Sequence, residues 1–346
     1  MARMLARNPR DGAPVTLRDV ARLAGVHPGT VSRALNPATE ALVNAETVRR
    51  VRDAAQTLGY RPNPMARGLK TNRTYTIGVL IPDIQNPLFP PIIRGIDDRL
   101  GSAGYTPLIA NTDNDPQRER NDVEAMRTRQ VDGFITATAR RDHELLDEVA
   151  RLEAPVVLVN RRVDDDTLPS ATADDREGVR LAVAHLVELG HRRIAEVAGP
   201  QDLSTGLHRH EGFVAALAEH GLEPERAGFG AAFTESEGAR VCEELLAAAP
   251  DLTAIVAGND LMALGCYDAL AAHGLPCPER ISVVGFNDMP FAGKFGPPLT
   301  TIRIPHYEIG AAAADLLLER LAQPGAAPRH VVLEPELVVR GSTAPP

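Results

Sequence analysis

The chain has 346 residues, 24% of them charged, and a formal net charge of −9, so there is room for more than one domain. Its three cysteines, Cys242, Cys266 and Cys277, are scattered without a CxxC pair, which argues against a disulfide framework or a zinc site. No apolar run reaches the ~18 residues of a membrane span, and residues 1–14, read as a disordered tail, lack the apolar core of an export signal.

The first predicted elements lie at residues 15–36, VTLRDVARLAGVHPGTVSRALN. Thr16 is a helix N-cap candidate with Asp19 three residues on, a capping-box pattern. Leu17, Val20, Ala21 and Ala24 follow at helical spacing, Gly25 turns the chain, and Val26, Val31 and Leu35 carry a second helix back. Two short helices around a glycine turn form a helix-turn-helix, whose second helix enters the major groove of DNA. Asn44 can cap a third helix with the stripe Val48, Val51, Ala55 and Leu58, which Gly59 ends. The whole head, 15–61, has a thin core.

Charge divides the chain in the same place. Residues 1–73 carry 13 Lys/Arg against 5 Asp/Glu, a net of +8; the remainder carries −17. A basic head on an acidic body suits one part that meets phosphate and one that does not. The linker, 62–74, contains NPMARGLK, too short to hold a helix alone. Two readings of it stay open: a segment that folds on DNA with Leu69 as a minor-groove wedge, or a tether whose leucine packs on the body.

From Thr76 onward apolar strands alternate with helices. Strands are expected at 77–81, 107–111, 134–138, 156–160, 194–198, 254–257 and 282–286. Helices are expected at about 90–103, 117–130, 142–151, 175–189, 207–220, 236–248, 260–273 and 306–321. Repeated βα units imply parallel sheets covered on both faces, and two sets of strands imply two lobes with a cleft at their carboxyl ends.

The 15–36 block, LGYRPNP at 58–64, ARGLKT at 66–71 and TIGVLIPDIQNPLF at 76–89 resemble the LacI/GalR family of bacterial transcriptional regulators. AGND at 257–260, ISVVGFNDMP at 281–290 and PPLTTIRIP at 297–305 continue the resemblance to the end of the chain. It implies an all-α helix-turn-helix DNA-binding head plus an α/β two-lobed, periplasmic-binding-protein-like sensor over 75–346. Lobe 1 would hold about 75–171 and 304–331, lobe 2 about 172–303 and 332–346, with crossings near Ala171, Arg303 and Val331.

The resemblance also assigns residues. Leu17, His27, Pro28, Gly29 and Arg33 fall where the head meets DNA, Arg33 reading guanine or holding a phosphate. Pro28 and Gly29 bring no side-chain hydrogen-bonding group to the bases. Thr16, Thr30, Ser32, Asn36, Tyr60 and Asn63 match phosphate-clamping positions, with capping as the other role of Thr16, and Arg67 and Leu69 lie in the linker. Phe89, Asn160, Arg209, Asn259 and Asn287 match effector positions, a set suited to a sugar or polyol. The alternatives are core packing for Phe89, an ion pair with Glu211 or another surface carboxylate for Arg209, and turn formation for Asn259 and Asn287.

The chain departs from the family at Asn287, where Asp is frequent, at Ile304, where a polar reader is frequent, and at His306, where an aromatic is. Losing that carboxylate leaves room for an anionic effector unless Asp288 compensates. The implied partners are a pseudo-palindromic double-stranded operator, a small-molecule effector of carbohydrate type and a second copy of the chain in a homodimer or higher oligomer, in the cytoplasm with no membrane. Repression is the implied output. No GxSxG, HExxH, GxGxxG or Walker A pattern occurs, so neither catalysis nor a cofactor is expected. The acidic runs at 164–166 and 174–175 read as a solvated connector, not a metal site. The competing readings are an enzyme with an appended helix-turn-helix and an architectural DNA-binding protein with a vestigial sensor.

Overall fold

The computed structural model describes residues 15–36, 39–60, 73–146, 154–223 and 226–346. The expected tail at 1–14, most of the linker with Asn63, Arg67 and Leu69, and residues 147–151 of the helix expected at 142–151 lie outside them. The chain forms two compact units, dividing between Thr74 and Tyr75.

The first unit is three helices: α1 Leu17–Ala24, α2 Pro28–Ala34 and α3 Ala45–Leu58. The Asp19 carboxylate accepts from both the backbone NH and the hydroxyl of Thr16, at 3.0 and 2.6 Å, which pins the start of α1. Gly25 and Gly59 end α1 and α3 at φ 65° and 63°, a left-handed conformation that glycine adopts without steric cost. Asn44 Oδ1 caps α3 through the NH of Glu46 at 2.9 Å. Val20, Ala21, Val31, Ala34, Val48 and Val51 form the centre of a small core.

The second unit is built on two six-stranded sheets. In chain order it contains β1 Thr76–Ile81, α4 Phe89–Ser102, β2 Thr106–Asn111, α5 Pro116–Thr128, β3 Gly133–Thr136, β4 Val156–Val159 and β5 Ser170–Ala173. There follow α6 Asp175–Glu188, β6 Ile194–Ala198, α7 Ser204–Glu219, β7 Ala227–Phe229, α8 Glu235–Ala248, β8 Ala254–Ala257, α9 Asp260–Ala272, β9 Ser282–Asn287, β10 Thr300–Arg303, α10 His306–Ala322, β11 His330–Leu333 and β12 Glu336–Val338.

The first sheet, in the order β11-β5-β4-β3-β1-β2, is parallel throughout. The second, β12-β10-β9-β8-β6-β7, is parallel except for its edge strand β12, which runs antiparallel to β10. Central strands such as Val156–Val159 and Ile194–Ala198 are buried along their length, as two covered faces require.

The chain passes between lobes after Ala173, after Arg303 and after Leu333, since β5 and β11 each run beyond Ala171 and Val331 in the first sheet. Strands β5, β7, β10, β11 and β12 escape the apolar reading: SATA and TTIR are short and rich in hydroxyls, and β12 is a three-residue edge. β5, β10 and β12 pair because neighbouring strands offer backbone partners, not because their side chains are strongly apolar, whereas β11, HVVL, is apolar but only four residues long.

Candidate DNA-reading head and effector cleft

In the head, α2 turns Val31 and Ala34 into the core and leaves His27 and Arg33 exposed. His27 is the N-cap of α2: its Nδ1 accepts from the NH of Gly29 at 3.0 Å, and Pro28 occupies N1, where no amide donor is needed. This fixes the ring at the start of the helix and leaves only Nε2 for an outside partner. Thr30, Ser32 and Asn36 are half-buried around it. Among the described residues the Arg33 guanidinium is held by one long bond, Nε to the Gly29 carbonyl at 3.4 Å, so the fork is exposed and lightly held.

Three predicted contacts have other work in this fold. The Thr16 hydroxyl is spent in the cap with Asp19, and the two hydrogen bonds from Thr16 hold that exposed carboxyl below its ordinary pKa. Leu17 packs its side chain against the head core. Tyr60 also packs on that core, and burial pushes its hydroxyl pKa up.

In the second unit Phe89, Asn160, Arg209, Asn259 and Asn287 line one cleft of about 310 Å³ including its open mouth. Asn160, Asn259 and Asn287 sit at or just beyond the carboxyl ends of the parallel strands β4, β8 and β9, Phe89 opens the helix after β1, and Arg209 lies within the helix after β6. Asn160 takes a left-handed φ of 65°, and Asn287 has φ 109°, so both turn their amides at strand ends. Phe89 is 1% exposed and belongs to the core as well as to the cleft wall. Asn259 combines two roles, since its Oδ1 caps α9 through the NH of Met262 at 2.8 Å.

Arg209 is the fixed centre of the cleft. Its Nε donates to Asp175 at 2.8 Å, its Nη1 to the Gly258 carbonyl at 2.6 Å and its Nη2 to Asn287 Oδ1 at 3.4 Å. The Phe286 ring lies 3.8 Å from its Cζ and Phe233 stacks more loosely at 5.6 Å. Burial drives the Asp175 pKa up, and the opposing pull of Arg209 keeps the pair together.

Asp175 therefore corrects the reading of 174–175 as a solvated connector. It is 6% exposed and anchors Arg209, whereas its neighbour Asp174 caps α6 through the NH of Glu177 at 3.0 Å. The alternative pairing of Arg209 with Glu211 is also excluded, because Glu211 pairs with Arg176 on the surface. Asp288 does not replace the missing carboxylate: it is held by Arg303 at 2.7 Å and Arg340 at 2.6 Å, outside the cleft lining. Ile304 is buried in the core, and neither it nor His306 lines the cleft.

Five lining residues were not anticipated: Asn86, Leu88, Arg161, Thr205 and Phe233. Arg161 and Asn86 had a signal, as neighbours of Asn160 and of Phe89 in segments already singled out. Asp260, next to Asn259, is fully buried and accepts from the Thr301 hydroxyl at 2.5 Å and the Met289 NH at 2.6 Å. Burial outweighs these bonds and raises its pKa to about 7.

The two lobes are also joined directly. Arg140 of lobe 1 pairs with Asp202 of lobe 2 at 2.5 Å, the Arg141 NH donates to the Asp202 carbonyl at 3.0 Å, and the Arg162 NH donates to Ser204 Oγ at 3.0 Å.

A three-helix head of the helix-turn-helix type and a two-lobed α/β unit with a polar cleft at its strand ends define a bacterial transcriptional regulator of the sensor type. Residues 16–63 match the model described as bacterial regulatory proteins, lacI family, and residues 183–343 match that of the periplasmic binding protein-like domain. The HTH-type transcriptional repressor CytR of Escherichia coli K12 is 36% identical over 331 residues, covering 95% of this chain and 96% of that protein. The ribose operon repressor of the same organism is 34% identical, covering 94% and 99%. The Lac repressor dimer bound to operator and the anti-inducer ONPF has a TM-score of 0.82 at 30% identity, covering 96% of this chain and all of that one (100%). A LacI-family regulator from Enterococcus faecium with bound ribose has a TM-score of 0.69 at 31% identity, covering 78% and 99%. The chain belongs to the LacI family of bacterial transcriptional regulators.

Proposed function

We propose that the protein is a sequence-specific, non-enzymatic repressor that binds a pseudo-palindromic operator as a cytoplasmic homodimer. Its operator affinity is set by a small molecule of the carbohydrate class held in the cleft. One observation carries this reading: five side chains from both lobes, Phe89, Asn160, Arg209, Asn259 and Asn287, converge on one cleft. An aromatic wall, a fixed guanidinium and three amides suit a polyol, with hydroxyls both donating and accepting. Relatives bearing the names of repressors, and solved structures with bound ribose or cellobiose, support the same class.

In the head, α2 enters the major groove with His27, Pro28, Gly29 and Arg33 foremost. Arg33 pairs with guanine, while Thr30, Ser32, Asn36, Tyr60 and Asn63 set the register on phosphates. Arg67 and Leu69 complete the contact from the linker. In the sensor, ligand bridges the lobes, and the Arg140–Asp202 clasp favours the closed arrangement. A ligand that prefers one lobe arrangement shifts operator affinity by its differential affinity for the two states.

The test is anisotropy of a labelled promoter fragment titrated with the full chain, while sugars and sugar derivatives are added singly. At least one compound is expected to change operator affinity about tenfold or more, roughly 1.4 kcal/mol. Tight operator binding that no cleft ligand changes would leave the vestigial-sensor reading in its place.

A further inference from the structure

Among the described residues, the cleft lining holds two guanidiniums and no carboxylate. Arg209 is internally compensated by Asp175 at 2.8 Å. Arg161 is not. It is 7% exposed, and its Nε has no hydrogen-bond partner. The carboxylates that act on it through space, Asp202 and Glu119, are both engaged elsewhere. Asp202 is bound by Arg140 at 2.5 Å, and Glu119 by the Thr138 hydroxyl and by His143 at 3.3 Å. A buried cation without a partner is costly, and a guanidinium forms its strongest bonds with carboxylate or phosphate oxygens. Burial and the neighbouring cations Arg140 and Arg209 lower the Arg161 pKa to about 10, which still leaves it charged at neutral pH.

The remaining lining narrows the shape of that partner. Asn160, Asn259, Asn287 and Thr205 suit hydroxyls, and Phe89 and Phe233 suit a ring face. We infer that the cleft takes a small polyhydroxylated anion, a sugar acid or a sugar phosphate, whose anionic oxygens sit on Arg161. The inference rests on the effector-sensor reading above and specifies its ligand.

The test is calorimetric titration of the full chain with three arms. D-gluconate and D-glucuronate form the carboxylate arm, D-ribose 5-phosphate and D-glucose 6-phosphate the phosphate arm, and D-ribose and D-glucose the neutral arm. The best anion is expected to bind about 30-fold more tightly than its neutral parent, as a charged hydrogen bond allows. Arg161→Gln should lose that margin, and Arg161→Lys should keep most of it. Asn287→Asp, which puts a carboxylate beside Arg209, should cut the ratio of anion affinity to neutral-sugar affinity about tenfold or more, whatever it does to the neutral sugar alone. This second variant decides the question if Arg161→Gln does not fold. Neutral sugars that bind as tightly as any anion, with no change in Asn287→Asp, would overturn the inference and leave the sensor reading standing. Binding by no arm would overturn both.

Discussion

The head and the cleft place function at different distances from the core. In the head, Val31 and Ala34 hold α2 in place while His27 and Arg33 face outward, so reading and folding use different side chains. In the cleft the same side chains do both. Phe89 is core and wall, Asn259 is cap and lining, and Arg209 neutralises a buried carboxylate while facing the ligand space. A surface reader can be exchanged cheaply; a cleft reader is tied into the fold that positions it.

Arg209→Ala is expected to have the largest effect, leaving Asp175 buried without its cation. Stability should fall by about 3–5 kcal/mol, and effector binding should be lost with it. Urea denaturation and calorimetry would check the pair, and a variant that lost binding at wild-type stability would break the comparison.

Asp260 gives the next effect. Burial raises its pKa from the ordinary 3.8 to about 7, so the folded state holds the proton longer than the unfolded one. Its contribution to stability is full below about pH 4, declines as pH rises through about 7 and stays lost above. At about 1.4 kcal/mol per pKa unit, the loss is on the order of 4 kcal/mol. Asp260→Asn, which mimics the protonated form, should flatten the urea midpoint between pH 5 and pH 8. An unchanged slope would show that the carboxyl is ionised throughout.

Arg33→Ala should leave stability within about 0.5 kcal/mol of wild type, because the side chain is exposed. Operator affinity should fall by about 1–3 kcal/mol, with specificity relaxed at one base pair of each half-site. If affinity fell equally on all sequences, Arg33 would be a phosphate contact. The smallest effect belongs to the clasp. Asp202→Ala removes a half-exposed ion pair worth about 0.2–1 kcal/mol and should weaken cleft ligands only a few-fold, while sparing the isolated contact of Arg33 with its base.

The same contrast explains what could be read from residues alone. The head is encoded locally: Thr16 with Asp19, Gly25, Asn44 and Gly59 announce its helix ends, and a few residues suffice to see them. Even there the His27 cap was missed, because an imidazole acceptor is not among the usual N-cap residues. The cleft is encoded by topology. Its five anticipated residues were placed by family resemblance, since nothing in the local spacing of Asn160 and Asn287 joins them. Asp175 looked solvated beside Asp174, and only the packing of α6 on α7 brings it to Arg209. Nothing in the local sequence sets Arg161 apart from the other arginines; its orphaned Nε does.

The most direct test of the account is reciprocity. Operator affinity would be measured with and without a saturating cleft ligand, and the affinity of that ligand with and without saturating operator. A sensor coupled to its head must show the same factor in both directions, about tenfold or more. A ligand that binds the cleft yet leaves operator affinity unchanged, with its own affinity unmoved by operator, would contradict the account.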